Sequence, residues 1–189
     1  MSLIVEDEPE LARLYGQWLS DEYEVTTAND GDEALEQITE EVDVVLLDRR
    51  MPTLSGDEVL DRIRERNLEC RVAMVTAVEP DFDIVKMGFD DYLVKPISKE
   101  QLIDIIEQLQ LRTTYDDQLQ EFFSLASKKA ILDEKKTDGE IKASREYATL
   151  EDRIAVLRSE VEDTVSELLK ANDHRNLCQD IRSTAIMGE

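Results

Sequence analysis

Asp48 closes the apolar run Val42-Asp43-Val44-Val45-Leu46-Leu47 and is followed by Arg49-Arg50-Met51-Pro52. Such a run reads as a strand buried on both faces of a parallel sheet. Its last residue surfaces at the carboxyl edge, where open α/β folds bind ligands. Glu6-Asp7-Glu8 closes a second short apolar run, Leu3-Ile4-Val5. Two strands therefore bring carboxylates to one edge, where they repel unless positive charge lies between them. Carboxylate oxygens suit Mg2+, which takes one or two of them and completes its octahedron with waters and phosphate oxygens. The same groups suit phosphoryl transfer, with Asp48 as a carboxylate nucleophile. Two more strand ends supply the remaining parts. Thr76 offers a hydroxyl to phosphate oxygens, and Lys95 a compact positive charge.

The elements that must position these residues alternate between strand and helix patterns over the first ~110 residues, which predicts a doubly wound parallel sheet. Strands are predicted at 3–5, 24–28, 42–47, 71–76 and 92–94. Residues 9–20 place Leu11, Leu14, Tyr15, Trp18 and Leu19 on one helical stripe. Asn29-Asp30-Gly31 opens a second helix carrying Ala34, Leu35 and Ile38. Ser55 caps a third with Val59, Leu60 and Ile63 inward. Residues 82–87 read as a short fourth helix closed by Gly88. Ser98-Lys99-Glu100-Gln101 matches a capping box and starts a fifth through Leu102, Ile105, Ile106 and Leu109, ending near Leu111.

Beyond 111 the strand patterns stop. Residues 116–135 read as one helix with Leu119, Phe122, Phe123, Ala126 and Ala130 along it. Thr137-Asp138-Gly139-Glu140 is a second capping box that begins another. In that helix Ala143, Tyr147, Leu150, Ile154, Leu157, Val161, Thr164 and Leu168 alternate steps of four and three. This is a heptad seam suited to a helical hairpin or short coiled coil. Periodicity is lost after Ala171, and the tail over 173–189 is expected to fray.

The formal net charge is -23 over 189 residues, and the part after 111 is itself negative. Such a balance disfavours generic attraction to nucleic acid or anionic membranes and suits solubility in concentrated salt. Cys70 and Cys178 lie far apart without metal-ligand spacing and read as inert thiols of a reducing cytoplasm. No run approaches transmembrane length, so a cytoplasmic protein without a membrane partner is expected. His174, the single histidine, reads as a solvent residue.

Ile-Val-Glu-Asp-Glu-Pro, Leu-Leu-Asp-Arg-Arg-Met-Pro, Val-Thr-Ala at 75–77 and Asp-Tyr-Leu-Val-Lys-Pro at 91–96 together resemble the receiver domain of two-component response regulators. The resemblance covers 1–111. It implies a flavodoxin-like α/β fold with a five-stranded parallel sheet in the order 2-1-3-4-5. It makes Asp48 the phosphoacceptor, and Glu6, Asp7, Asp48 and the backbone carbonyl of Arg50 the Mg2+ ligands. Lys95 and Thr76 become the phosphate contacts, Thr76 and Tyr92 the switch pair, and a sensor histidine kinase the phosphodonor. Glu6 stands where aspartate is commoner in that family.

Leu-Gln-Glu-Phe-Phe-Ser-Leu-Ala-Ser-Lys-Lys-Ala and Glu-Tyr-Ala-Thr-Leu-Glu-Asp-Arg-Ile are similar to the HalX-type output domain of regulators from salt-loving archaea, placed here over 112–172. That resemblance implies transcriptional regulation. No basic recognition helix is evident, so DNA stands as a possible partner that the charge does not support. The alternative is a phosphorylation-gated protein-interaction module, with homodimers through the receiver face or the helical segment. A phosphatase working through an aspartyl phosphate is disfavoured. Enzymes of the haloacid dehalogenase type place a second Asp two residues after the nucleophile, and here that residue is Arg50. A switch, not a turnover enzyme, is expected.

Overall fold

A computed structural model describes the backbone of residues 1–186 and the side chains of residues 1–171. The expectations for the tail over 173–189, for His174 and for Cys178 lie outside the described side chains. By compactness the chain divides into Met1–Gln110 and Leu111–Glu189.

In the first unit β1 (Ser2–Val5), β2 (Val25–Ala28), β3 (Val44–Leu47), β4 (Arg71–Thr76) and β5 (Asp91–Val94) form one parallel sheet in the order β2-β1-β3-β4-β5. This is the expected order 2-1-3-4-5. The register places Val5 beside Leu47, so Glu6 and Asp48 leave their strands at one level. Alternation along the strands makes two cores. Leu3, Val5, Val45, Leu47, Val72 and Met74 meet α2 (Gly31–Gln37) and α3 (Gly56–Glu65) on one face. Ile4, Val44, Leu46, Ala73 and Val75 meet α1 (Pro9–Leu19) and the start of α4 (Lys99–Lys135) on the other. Each fully buried Leu or Ile contributes about 1.5–3 kcal/mol relative to exposure, which is what fixes the strand ends in space. α1 buries Ala12, Tyr15 and Leu19, whereas Leu14, expected inward, is 38% exposed.

The helix starts follow their predicted chemistry. Ser55 and Glu58 form a reciprocal capping box, as do Thr137 and Glu140. The Ser98 hydroxyl accepts from Gln101 N at 3.3 Å, and Gln101 Oε1 accepts from Ser98 N at 3.0 Å. Two boundaries depart from expectation. Residues 82–87 do not make an α-helix: Phe82–Lys86 is a single 3-10 turn with no buried side chain, and Gly88 does not take the left-handed conformation of a helix cap. The fifth helix does not stop near Leu111, because α4 runs unbroken to Lys135. Neither proline nor glycine occurs between Pro96 and Gly139, so nothing in the chain ends it.

In the second unit α4 continues, followed by α5 (Asp138–Ala143) and α6 (Arg145–Ile186). Ser144 interrupts the expected single helix. Its extended backbone ends α5, and its hydroxyl accepts from Tyr147 N at 3.1 Å to start α6. Tyr147, Leu150, Ile154, Leu157, Val161, Thr164 and Leu168 are among the less exposed positions of α6, as the heptad spacing predicts, and Leu157 is fully buried. Ala143 falls in α5 and is exposed. On this stretch of α4 the covered positions are Tyr115, Gln118, Leu119, Phe122, Leu125, Ala126, Lys129 and Leu132; of the expected stripe Leu119, Phe122 and Ala126 are covered, while Phe123 and Ala130 are exposed. Three polar contacts fix the pairing of the two helices. Thr164 Oγ1 lies 2.9 Å from Gln118 Oε1, Arg153 pairs with Glu121 at 2.7 Å, and Lys129 reaches the Tyr147 hydroxyl and Glu151. Among the described residues no helix is long and apolar enough to cross a membrane.

Candidate functional site

The carboxyl edge of the sheet gathers the predicted residues. Glu6, just beyond β1, is 2% exposed; Asp48, just beyond β3, is 7% exposed; Thr76, the last residue of β4, is fully buried. Asp48 N donates to Val5 O at 2.9 Å, and Lys95 N to Thr76 O at 2.8 Å, so the ladder itself sets all four strand ends. The Lys95 ammonium bonds Glu6 Oε2 at 2.6 Å and also Asp48 Oδ2. Asp48 Oδ1 accepts from Arg50 N at 3.0 Å.

Glu6, Asp7 and Asp48 each offer a carboxylate oxygen within 4.8 Å of the others. Two like charges ~4 Å apart repel by about 4 kcal/mol at an effective dielectric constant near 20. One ammonium cannot neutralise three carboxylates, and the electrostatics record the imbalance. Burial, with the Asp48 charge adding to it, pushes the Glu6 carboxyl above its ordinary range despite Lys95. Burial alone would depress Lys95, but Asp48 and Glu6 outweigh it and hold the ammonium above its usual value. Among the described residues Glu6 Oε1 is buried with no hydrogen-bond partner. Oxygen-only donors, excess negative charge and an unpartnered buried carboxylate oxygen together fit a small hard divalent cation such as Mg2+.

Tyr92 pairs with Met74 across β4 and β5, which puts it on the face that Thr76 shares by alternation. Its hydroxyl donates to Val78 O at 2.8 Å, and its ring lies 5.5 Å from Phe89. Thr76 Oγ1 accepts from Val78 N at 3.3 Å, so both members of the expected switch pair touch Val78.

Two residues that sequence reasoning passed over shape the site. Gly56, the first residue of α3, donates from N to Arg49 O at 3.0 Å, and a Cβ there would sit 2.1 Å from Asp48 O and 2.9 Å from Arg49 Cα. Only glycine lets α3 start this close to the Asp48–Arg49 turn. Gly56→Ala is expected to push that turn away, costing roughly 2–4 kcal/mol in stability and most of the reactivity at Asp48. A urea midpoint matching wild type would refute the contact. Arg49, adjacent to Asp48, turns to Asp57 at 3.0 Å and to Asp83. Nothing in a local reading of this turn indicates those partners.

With this geometry in place, comparison with known proteins is decisive. Residues 2–107 match the response regulator receiver domain, over half of the chain. The chain belongs to the response regulator receiver family. Behind the receiver, residues 111–178 match the HalX domain. A relative from Haloferax volcanii, provisionally named a transcriptional regulator, is 42% identical over 184 residues, 95% of this chain and 31% of that protein. The transcriptional regulatory protein DltR of Streptococcus agalactiae is 40% identical over 116 residues, 59% of this chain and half of DltR. The chain thus spans half or less of the length of these relatives. Among solved structures, the response regulator TrrA of Thermotoga maritima in complex with Mg2+ and BeF is 32% identical, with a TM-score of 0.52. That match covers 57% of this chain and 96% of TrrA. The chain thus joins a receiver domain to a HalX domain.

Proposed function

We propose that this receiver accepts a phosphoryl group on Asp48 from a sensor histidine kinase in the cytoplasm and thereby switches its helical output region to regulate transcription. The observation that carries the reading is the joint placement of Glu6, Asp7, Asp48 and Lys95, with Glu6 Oε1 left unpartnered beside two further carboxylates. A carboxylate oxygen of Asp48 attacks phosphorus while the P–N bond of the donor phosphohistidine breaks. Lys95 meets the negative oxygens of the transferred group. Glu6, Asp7, Asp48 and the Arg50 carbonyl would hold Mg2+, which supplies charge neutralisation for the incoming phosphoryl group. The Thr76 hydroxyl turns to the new phosphate oxygens, and Tyr92 follows into the space it leaves. A shift of this kind needs a few kcal/mol of differential stabilisation, within reach of one charge-assisted hydrogen bond and the Lys95 contact.

A second reading of the output region has its own support. The HalX region carries net negative charge and shows Phe123, Ile131, Val156 and Leu169 at its surface, which favours a protein partner over direct contact with DNA. Chromatin immunoprecipitation of the native protein, with Asp48→Ala as control, separates the two. Discrete peaks that vanish in the variant support phosphorylation-gated action at promoters. A flat profile for the native protein counts against the transcriptional role and moves the search to protein partners.

A further inference from the structure

Arg49 carries an interaction network that the phosphoacceptor chemistry does not require. Its side chain is only 14% exposed, although the residue sits in a surface turn. It binds Asp57, at the start of α3, through Nε at 3.0 and 3.2 Å and through Nη2 at 3.1 Å. The same Nη2 binds Asp83, in the 3-10 turn Phe82–Lys86, and the Arg49 charge is felt at the Tyr92 hydroxyl. One residue beyond the phosphoacceptor therefore ties together α3, the 3-10 turn and the switch tyrosine.

The 3-10 turn has little else to hold it. None of its residues is buried, and Phe82 and Val85 are 90% and 81% exposed. Its backbone closes on itself through Ile84 N to Asp81 O and Met87 N to Ile84 O, both 3.1 Å. A segment with so few packed contacts opens locally at low cost, so one charged tether decides much of its position. Arg suits this task because its planar fork can serve two carboxylates at once.

We infer that Arg49 is a latch: it holds the Phe82–Lys86 turn against the receiver through Asp83, and phosphorylation of Asp48 opens it. The inference rests on the phosphoacceptor reading of Asp48 and the switch reading of Tyr92. Phosphorylation places about -1.5 to -2 of charge one residue away, a new competitor for the guanidinium. Inward movement of Tyr92 withdraws from the guanidinium a hydroxyl that interacts with its charge in the closed arrangement. Both changes weaken the hold on Asp83, and the coupling is reciprocal: whatever opens the latch favours the phosphorylated form. Arg49 is a positioning residue, and what it positions is the exposed apolar pair Phe82 and Val85.

Amide hydrogen exchange over residues 80–88 of the full chain tests this, with and without Mg2+ and acetyl phosphate. Asp83→Asn removes the charge of a half-exposed side chain and keeps the fold intact. It is expected to speed exchange in this segment about fivefold without phosphodonor. Asp83→Glu, which keeps the carboxylate, is expected to restore slow exchange. Arg49→Gln combined with Asp83→Asn should add nothing to either change alone. In wild type, labelling of Asp48 should give the same acceleration, and in Asp83→Asn labelling should add none. Wild-type exchange unmoved by Asp83→Asn, or unmoved when Asp48 is fully labelled, overturns the latch. Failure of wild type to label at all overturns the phosphoacceptor reading and the gating with it, and the mass of the intact protein tells these failures apart.

Discussion

Asp48→Ala abolishes Mg2+-dependent labelling by acetyl phosphate, with a fall on the order of 1,000-fold or more. The magnitude follows from position. Glu6 is buried and bound to Lys95, whereas Asp7 is partly exposed and, among the described residues, has no ammonium bonded to it. Asp48 alone has one oxygen on Lys95 and the other on a backbone N–H, at the end of the central strand β3. Neither neighbour can take over the reaction by a change of rotamer. The same variant should stay folded, because it removes one of three crowded carboxylates and leaves Lys95 its bond to Glu6. Its urea midpoint is therefore expected at or above that of wild type. Intact-protein mass spectrometry reads the labelling and circular dichroism the fold. Undiminished labelling in a folded variant would place the nucleophile elsewhere, with Asp7 the first to examine.

The sheet and its edge were legible because each chemical residue directly follows an apolar run. Val42–Leu47 announces a buried strand, and the residue after such a strand has few places to go. Adjacency in sequence therefore carried Glu6, Asp48, Thr76 and Lys95 to one edge. Contacts across long stretches of chain were not legible. Arg49 finds Asp83 34 residues away, and Gly56 is demanded by a backbone oxygen that no periodicity reveals. The 3-10 turn was misread because Phe82, Ile84 and Val85 look like the buried side of a helix, yet no face of the turn is buried. The change of composition near 111 marks where the two compact units divide, but it does not end a helix. Helix ends follow breakers and caps, and between Ser98 and Lys135 the chain offers no glycine or proline. The α6 seam was readable since its heptad steps are regular. The opposing face of α4 is readable in part: Leu119, Phe122 and Ala126 are covered as their spacing predicts, but Gln118 and Lys129 take seam positions through hydrogen bonds to Thr164 and Tyr147.

Lys95→Met should destabilise the metal-free protein by about 2–3 kcal/mol, and Mg2+ should recover most of the loss. Lys95 is the one cation bonded to Glu6 and Asp48 among the described contacts, and its side chain is 12% exposed. Removing one partner of a buried ion pair typically costs about 3–5 kcal/mol, because the other charge is left uncompensated. The smaller figure applies here because Asp7 opens the cluster to solvent and Glu6 can take a proton. Its carboxyl already stands above its ordinary value, and without Lys95 it rises further. The sign of the pH effect follows. A carboxyl raised in the folded state binds more protons there than in the unfolded chain, so stability falls as pH rises from the ordinary Glu value through the raised one. The metal-free variant should therefore lose stability relative to wild type more steeply with rising pH over that window. Divalent cation reverses the loss: with the ammonium gone the site is more negative, and the apparent Mg2+ dissociation constant should fall about tenfold, equivalent to ~1.4 kcal/mol. At a hundred times that constant, binding restores roughly 2.7 kcal/mol. Urea titrations with and without Mg2+, at fixed ionic strength so that screening is constant, measure both terms. Equal Mg2+ stabilisation of variant and wild type would show that Lys95 and the cation do not share the Glu6–Asp48 charge, and the electrostatic account of this edge would fail with it.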